Sequence, residues 1–338
     1  MRKTGSIFLF LCFLLCAVGY TAEGSGDLLE QAKKFFSPLP SDMATAQNPI
    51  TPAKVRLGKI LFYECRISVD GTVSCSKCHP FSLYATDGLR KSIGNNCRPN
   101  PRKAPTLFNA AAQLSAPWIG NRKDVEDQAK QALVGPPSFG MPSYESVEKK
   151  LIELGYSPLF KDAFPNDGKP VSADNFAKAV GAFERTLVTP APLDDFLKGE
   201  KTALTEAEQK GLKLFIDTGC VACHSGAYIG GQAYRKFGIF EPYWKYTKSD
   251  KIDDGRYAVT KDEADKYIFK VPVLRNVAKV PPYFHDGSVD KLQDVVVIMA
   301  KIQLGKDLDR LTVDNIVTFL DSLTGKIPED LIKVPLLP

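Results

Sequence analysis

Two pentapeptides in this chain can do chemistry that no lone side chain can: Cys75-Ser76-Lys77-Cys78-His79 and Cys220-Val221-Ala222-Cys223-His224. Each sets two thiols one helical turn apart with an imidazole beside them. The thiols can add to the two vinyl groups of a haem, and the adjacent His can then ligate the iron from one face. Cys75, Cys78, Cys220 and Cys223 are thus candidates for covalent attachment, and His79 and His224 for the proximal iron ligands. Four thiolates from two such knuckles can also hold a structural zinc. Zinc does not need a His directly after each second Cys, which favours two covalently bound haem c groups.

The sixth ligands are the next question, and few residues can answer it. The only other histidine is His285, and the methionines are Met1, Met43, Met141 and Met299. A thioether ligand raises the reduction potential and suits electron transfer, whereas an open position lets peroxide reach the iron. Met299 lies on an amphipathic stretch, where core packing is the plain alternative. Its place after the second motif, in a region with few other donors, makes it a candidate ligand. His285 sits in a turn, Tyr283-Phe284-His285-Asp286-Gly287, as a ligand or a structural hydrogen-bonding group. Met141, in a Pro-rich loop, is open between ligand and apolar plug.

The elements that must position these motifs read as mostly helical. Pro52 at a first helical position opens a helix over 53–62. Thr205-Glu206-Ala207-Glu208 is a capping box for a helix to about residue 216. Each helix leads into a C-x-x-C-H motif, and Gly58-Lys59-Ile60-Leu61-Phe62 matches Gly211-Leu212-Lys213-Leu214-Phe215. This suggests a duplicated module: a mostly α fold of two cytochrome c-like domains, each binding one covalent haem c. Further helices are expected at 106–113 and 122–134, after Ser143 to about residue 154, at 173–188 behind a Ser172 cap, and at 289–304 and 313–323. Gly305 and Gly325 stand where C-terminal caps belong. Residues 230–270 read as irregular. Pro190-Ala191-Pro192 marks the boundary between domains at 25–190 and 195–338.

The chain start reads as a secretory signal over residues 1–22: Arg2 and Lys3, an apolar run over 7–18, then small residues. A retained anchor is the alternative, but the run is short for a bilayer and no other stretch approaches ~20 apolar residues. Export to a periplasm, with no membrane span in the mature chain, is the expectation. Cys12 and Cys16 leave with the signal. Cys65 and Cys97 remain, to pair, to stay as quiet thiols, or for one to act as a ligand. With 338 residues there is room for two cores, and the net charge, +5 for the whole chain and +3 once Arg2 and Lys3 are removed, argues against a nucleic-acid partner.

These residues together resemble the bacterial di-haem cytochrome c peroxidases and their MauG-like relatives. The likeness covers nearly all of the mature chain. It runs through Gly58 to Phe62, both haem motifs, Ala104-Pro105-Thr106, Gln128-Ala129-Lys130, Arg185-Thr186-Leu187-Val188-Thr189-Pro190, Leu274-Arg275-Asn276-Val277-Ala278, and the segments 282–288 and 299–305. The resemblance implies a high-potential C-terminal haem on His224 and Met299 that relays electrons, and a peroxidatic N-terminal haem on His79. MauG-like members have Tyr where Met299 stands. It also implies that Trp118 conducts electrons between the haems and that Gln128 belongs to the active site. Electrons would come from a small periplasmic cytochrome or cupredoxin, the oxidant would be hydrogen peroxide, and a homodimer is usual.

The chain departs from the family at three places. Asn95 replaces the His that ligates the resting peroxidatic iron, and Ser138 replaces the acid–base Glu. Lys103 stands at the family's calcium site, where an ammonium can replace the cation, so calcium is not expected. The first reading is therefore a peroxidase with a permanently open N-terminal iron. A MauG-like high-valent haem enzyme oxidising residues of a partner protein, and a non-catalytic di-haem electron carrier or sensor, are the alternatives.

Overall fold

A computed structural model describes residues 27–338, and the expected export signal lies outside the described residues. Fourteen α-helices and one small sheet carry the described chain. In the first half they are α1 (Leu28–Lys33), α2 (Pro52–Tyr63), α3 (Cys75–Cys78), α4 (Val125–Val134), α5 (Tyr144–Glu153), α6 (Ser157–Ala163) and α7 (Ala173–Glu184). Then follow α8 (Pro192–Leu197), α9 (Glu206–Thr218), α10 (Trp244–Thr247), α11 (Tyr257–Thr260), α12 (Leu292–Leu304), α13 (Arg310–Asp321) and α14 (Glu329–Ile332). No described helix is long and apolar enough to cross a membrane.

The two helices that lead into the C-x-x-C-H motifs are built alike. α2 starts on Thr51, whose hydroxyl accepts the Lys54 N–H, with Pro52 in the first turn. α9 starts on a reciprocal box: Thr205 N–H donates to Glu208 Oε2 at 2.7 Å, and Glu208 N–H to Thr205 Oγ1. A Cβ on Gly58 would overlap the Ala179 carbonyl of α7, and one on Gly211 the Asn315 carbonyl of α13. Glycine is what lets each partner helix approach so closely. Four residues on, Phe62 and Phe215 enter their cores. The shared Gly-to-Phe spacing thus does the same packing work twice.

Leu57, Leu61, Phe160, Phe176 and Val180 form one core, and Leu212, Phe215, Val296, Ile316 and Phe319 the other. Each such side chain contributes about 1.5–3 kcal/mol. The cores are not divided as the sequence expects. Leu29, Ala32 and Phe36, assigned to the N-terminal unit by the 25–190 boundary, are buried in the second core. In return, Leu331 of α14 joins a smaller cluster of the first unit, with Phe62, Phe81 and Phe183, and its carbonyl accepts the Tyr63 hydroxyl at 2.9 Å. Each unit holds the other's terminus.

Other departures have local causes. Residues 106–113 form no helix, because Asn109 is left-handed (φ 58°) and its side chain is spent on Thr189. The next helix starts at Val125, where Asp124 accepts the Asp127 N–H at 2.8 Å. Asp309 caps α13 ahead of the expected start. Gly305 is the left-handed end of α12, as expected. Gly325 caps nothing: its N–H donates to Asn276 Oδ1. Within 230–270, strands β1 (Tyr234–Lys236) and β2 (Ile268–Lys270) pair antiparallel, with Tyr234 opposite Lys270. Cys65 and Cys97 are both free thiols.

The Pro-rich boundary is a tethered strap, not a loose linker: Pro190 and Pro192 are exposed, but Thr189, Ala191 and Asp194 beside them are buried, and α8 begins inside it. Thr189 accepts from Asn109 of the first unit and from Asn276 of the second. Arg275 donates to both oxygens of Asp194, at 2.7 and 2.9 Å, and both side chains are essentially inaccessible. Removing one partner of such a pair strands the other charge. Asp194→Ala is therefore expected to lower the unfolding free energy by about 3–5 kcal/mol in denaturant titration.

Candidate functional site

The first motif forms the one-turn helix α3, in which the His79 N–H donates to the Cys75 carbonyl at 3.0 Å. His79 Nδ1 lies 2.9 Å from the Ala85 carbonyl. With the proton on Nδ1 donated there, Nε2 keeps its lone pair for a metal, and the carbonyl makes the ring a better donor. Tyr84 and the buried Ala85 are both left-handed (φ 57°), a strained conformation for residues with a Cβ. That strain turns the Ala85 carbonyl toward the imidazole.

The second motif repeats the backbone turn but not the partner on the imidazole. α9 ends on left-handed Gly219, a 3₁₀ turn carries Cys220, and the His224 N–H donates to the Cys220 carbonyl at 3.0 Å. His224 is buried, its Nδ1 has no hydrogen-bond partner, and burial pushes the imidazole down to about 4. Burial thus favours the neutral ring, the form that can ligate a metal. Cys220, Cys223, His224, Val296 and Met299 line one largely apolar cavity of about 230 Å³. The structure thus brings Met299 and His224 to the same space from different elements, α12 and the turn after α9.

The residues fit covalent haem better than zinc. Cys75 packs against the first unit's clusters and Cys220 against the second core, and among the described residues no three Cys, His, Asp or Glu side chains converge on a metal site. Burial pushes the Cys78 and Cys220 thiols up to about 11, and Cys75 upward as well. Such positions disfavour thiolate and accept a neutral thioether. A buried imidazole lining an apolar cavity is the other half of the match.

Trp118 lies at the junction of the units. Its Nε1–H donates to the Lys103 carbonyl at 2.8 Å, and its carbonyl accepts the Lys270 N–H at 2.8 Å. It also lines the cavity of His224. Lys103 is buried, with its ammonium on Thr86 Oγ1 (2.9 Å) and the Ala104 carbonyl (3.2 Å). Burial brings that ammonium down to about 8.

Asn95 and Ser138 prove to be neighbours. Asn95 is wholly buried, and its Nδ2 donates to the carbonyls of Pro136 (2.6 Å) and Ser138 (2.7 Å). The adjoining Asn100 Nδ2 donates to the Pro137 carbonyl at 3.0 Å. Segments 92–100 and 135–141 are thereby fastened together. Gln128 is half-buried on α4, one turn before Ala132 and Leu133, whose carbonyls accept the N–H groups of Phe139 and Met141. Met141 packs in the first core.

His285 lines the same cavity as His224 and is 3% exposed, inside a box of Phe237, Tyr243 and Phe269. Its Nε2 is 3.8 Å from Asp253, which Arg102 holds at 2.7 and 2.8 Å. Sequence reasoning missed three features: the Asn95–Ser138 contact, the Ala85 carbonyl, and Lys270, a cation buried in Ile268-Phe269-Lys270-Val271-Pro272. Only the last had a visible signal, a base inside an apolar run.

The model of a family described as di-haem cytochrome c peroxidase matches residues 52–202. A cytochrome c551 peroxidase of Pseudomonas aeruginosa is 42% identical over 92% of this chain and 90% of its own length. The methylamine utilization protein MauG of Methylorubrum extorquens is 34% identical over 82% of this chain and 76% of its own. A solved structure of a MauG-like protein associated with microbial copper homeostasis superposes with a TM-score of 0.75 at 27% identity, covering 88% of this chain and 95% of that one.

Proposed function

Because the chain belongs to the di-haem cytochrome c peroxidase family, we propose that it is an exported peroxidase that reduces hydrogen peroxide with electrons from a small periplasmic redox protein. The observation that carries this reading is the arrangement of two C-x-x-C-H sites in separate cores, with Trp118 at their junction. In this reading Cys75 and Cys78, and Cys220 and Cys223, anchor the two haems, and His79 and His224 ligate them. Bound there, the haems supply the one-electron steps that protein side chains cannot.

Met299 completes the electron-accepting site, and Trp118 links it to the first. Reducing one peroxide to two waters takes two electrons and two protons. At the N-terminal site Asn95 has no imidazole to offer the iron, and its amide is committed to the 136–138 carbonyls. A haem held by His79 would therefore receive no imidazole from position 95 and would be accessible to peroxide without prior reduction. Ser138 lacks the carboxyl group that would shuttle the proton between the two oxygens, so the peroxidase is a slow one. Turnover of peroxide with a reduced small cytochrome, at a rate above free haem, tests the proposal; a rate equal to free haem defeats it. The loss of a carboxyl group at Ser138 is also the observation that favours a MauG-like oxidation of a partner protein. Met299 counts against that reading.

The buried Lys103 ammonium already sits on the oxygens of Thr86 and Ala104. Turnover and Tm are therefore expected to be unchanged by a calcium chelator or by added calcium. A rise in either on adding calcium would contradict the substitution.

A further inference from the structure

The cavity of His224 has a basic wall that iron ligation does not use. Its lining includes Lys103, Arg235, Lys236 and Lys270, and no Asp or Glu among the described residues. Lys270 is 6% exposed. Its ammonium donates to the Ser115 carbonyl at 2.7 Å and to Gln113 Oε1, both neutral acceptors. No described carboxylate forms an ion pair with it. An ammonium has three protons to donate, so one is left over. A buried cation surrounded by neutral groups is costly, and burial brings this one down to about 7. The usual remedy is an anion that arrives with the ligand.

Three of the four cations lie on the two-stranded sheet, Lys236 and Lys270 on one face and Arg235 on the other. β1 carries Arg235 and Lys236, and β2 ends with Lys270 opposite Tyr234. A haem c has two chemically distinct edges. Thioether bonds fix one edge to Cys220 and Cys223, and the edge away from them bears two carboxylates. We infer that the β1–β2 ladder receives the carboxylates of the C-terminal haem, with Lys270 as the buried partner of one of them. The assignment rests on the two-haem reading above. Because the Lys270 N–H also holds the Trp118 carbonyl, the carboxylate edge is the one turned to the junction.

The test compares the holoprotein with Lys270→Met and Lys270→Arg. Haem content is counted by the pyridine haemochrome, and the midpoint potential of the C-terminal haem is followed from about pH 5 to about pH 9. The Met variant is expected to keep two haems, to shift that potential downward, and to make it fall with rising pH as the stranded carboxylate takes up a proton on reduction. The Arg variant, which keeps the charge, should behave like the parent. Two haems with the parent's potential and pH slope in the Met variant would overturn this inference alone. A parent with one haem would overturn the two-haem reading as well. Should the Met variant not fold, the redox-difference infrared spectrum of the parent decides. Carboxylates that stay ionised on reduction support the assignment, and a carboxylic-acid band that grows on reduction near neutral pH overturns it.

Discussion

Ser138→Glu is expected to raise the rate of peroxide reduction by on the order of 10²-fold or more. Cleaving the O–O bond needs one group to take a proton from the near oxygen and deliver it to the far one. A carboxylate does this near neutral pH, and an alcohol does not. The backbone at position 138 is held independently of its side chain: its N–H donates to the Gly135 carbonyl at 2.9 Å and its carbonyl accepts from Asn95 Nδ2. The half-buried side chain can therefore be exchanged without releasing the loop. Ser138→Gln, which has the size but not the proton, should show no gain. Equal rates for the Glu variant and the parent would mean that the pocket serves other chemistry.

Met299→His is expected to cut donor-driven turnover by about 10²-fold. Replacing a thioether ligand by imidazole lowers the potential. A drop of about 120 mV would shift a one-electron equilibrium by that factor, since 59 mV is tenfold. Met299 lines the cavity of His224 from α12, whose residues Leu292, Val296 and Ala300 are buried and anchor the helix. A ligand change there should leave the fold in place. Turnover driven by a strongly reducing small molecule should fall far less, because that reductant can still fill a low-potential site. An unmoved potential would make Met299 a packing residue.

The features that depend on local chemistry were legible in the sequence. The two haem motifs, the Thr205 capping box, the Ser143 and Ser172 caps and the paired Gly-to-Phe stretches all act within a few residues. Features made by distant contacts were not. Nothing in Leu29 or Leu331 says that each will be buried in the other unit's core. Asn95 and Ser138 each read as a separate loss, and only folding shows one holding the other's loop. Pro190-Ala191-Pro192 looks like a linker, but the Thr189 and Asp194 bonds that tether it come from residues 80 or more positions away.

In the proposed reading the two haems would differ: Met299 would ligate the one held by His224, and neither Asn95 nor Ser138 would ligate the one held by His79. EPR of the fully oxidised holoprotein reads this directly. One low-spin signal, from the His224 site, and one high-spin signal, from the His79 site, are expected without any reductive pretreatment. An entirely low-spin spectrum would contradict that reading.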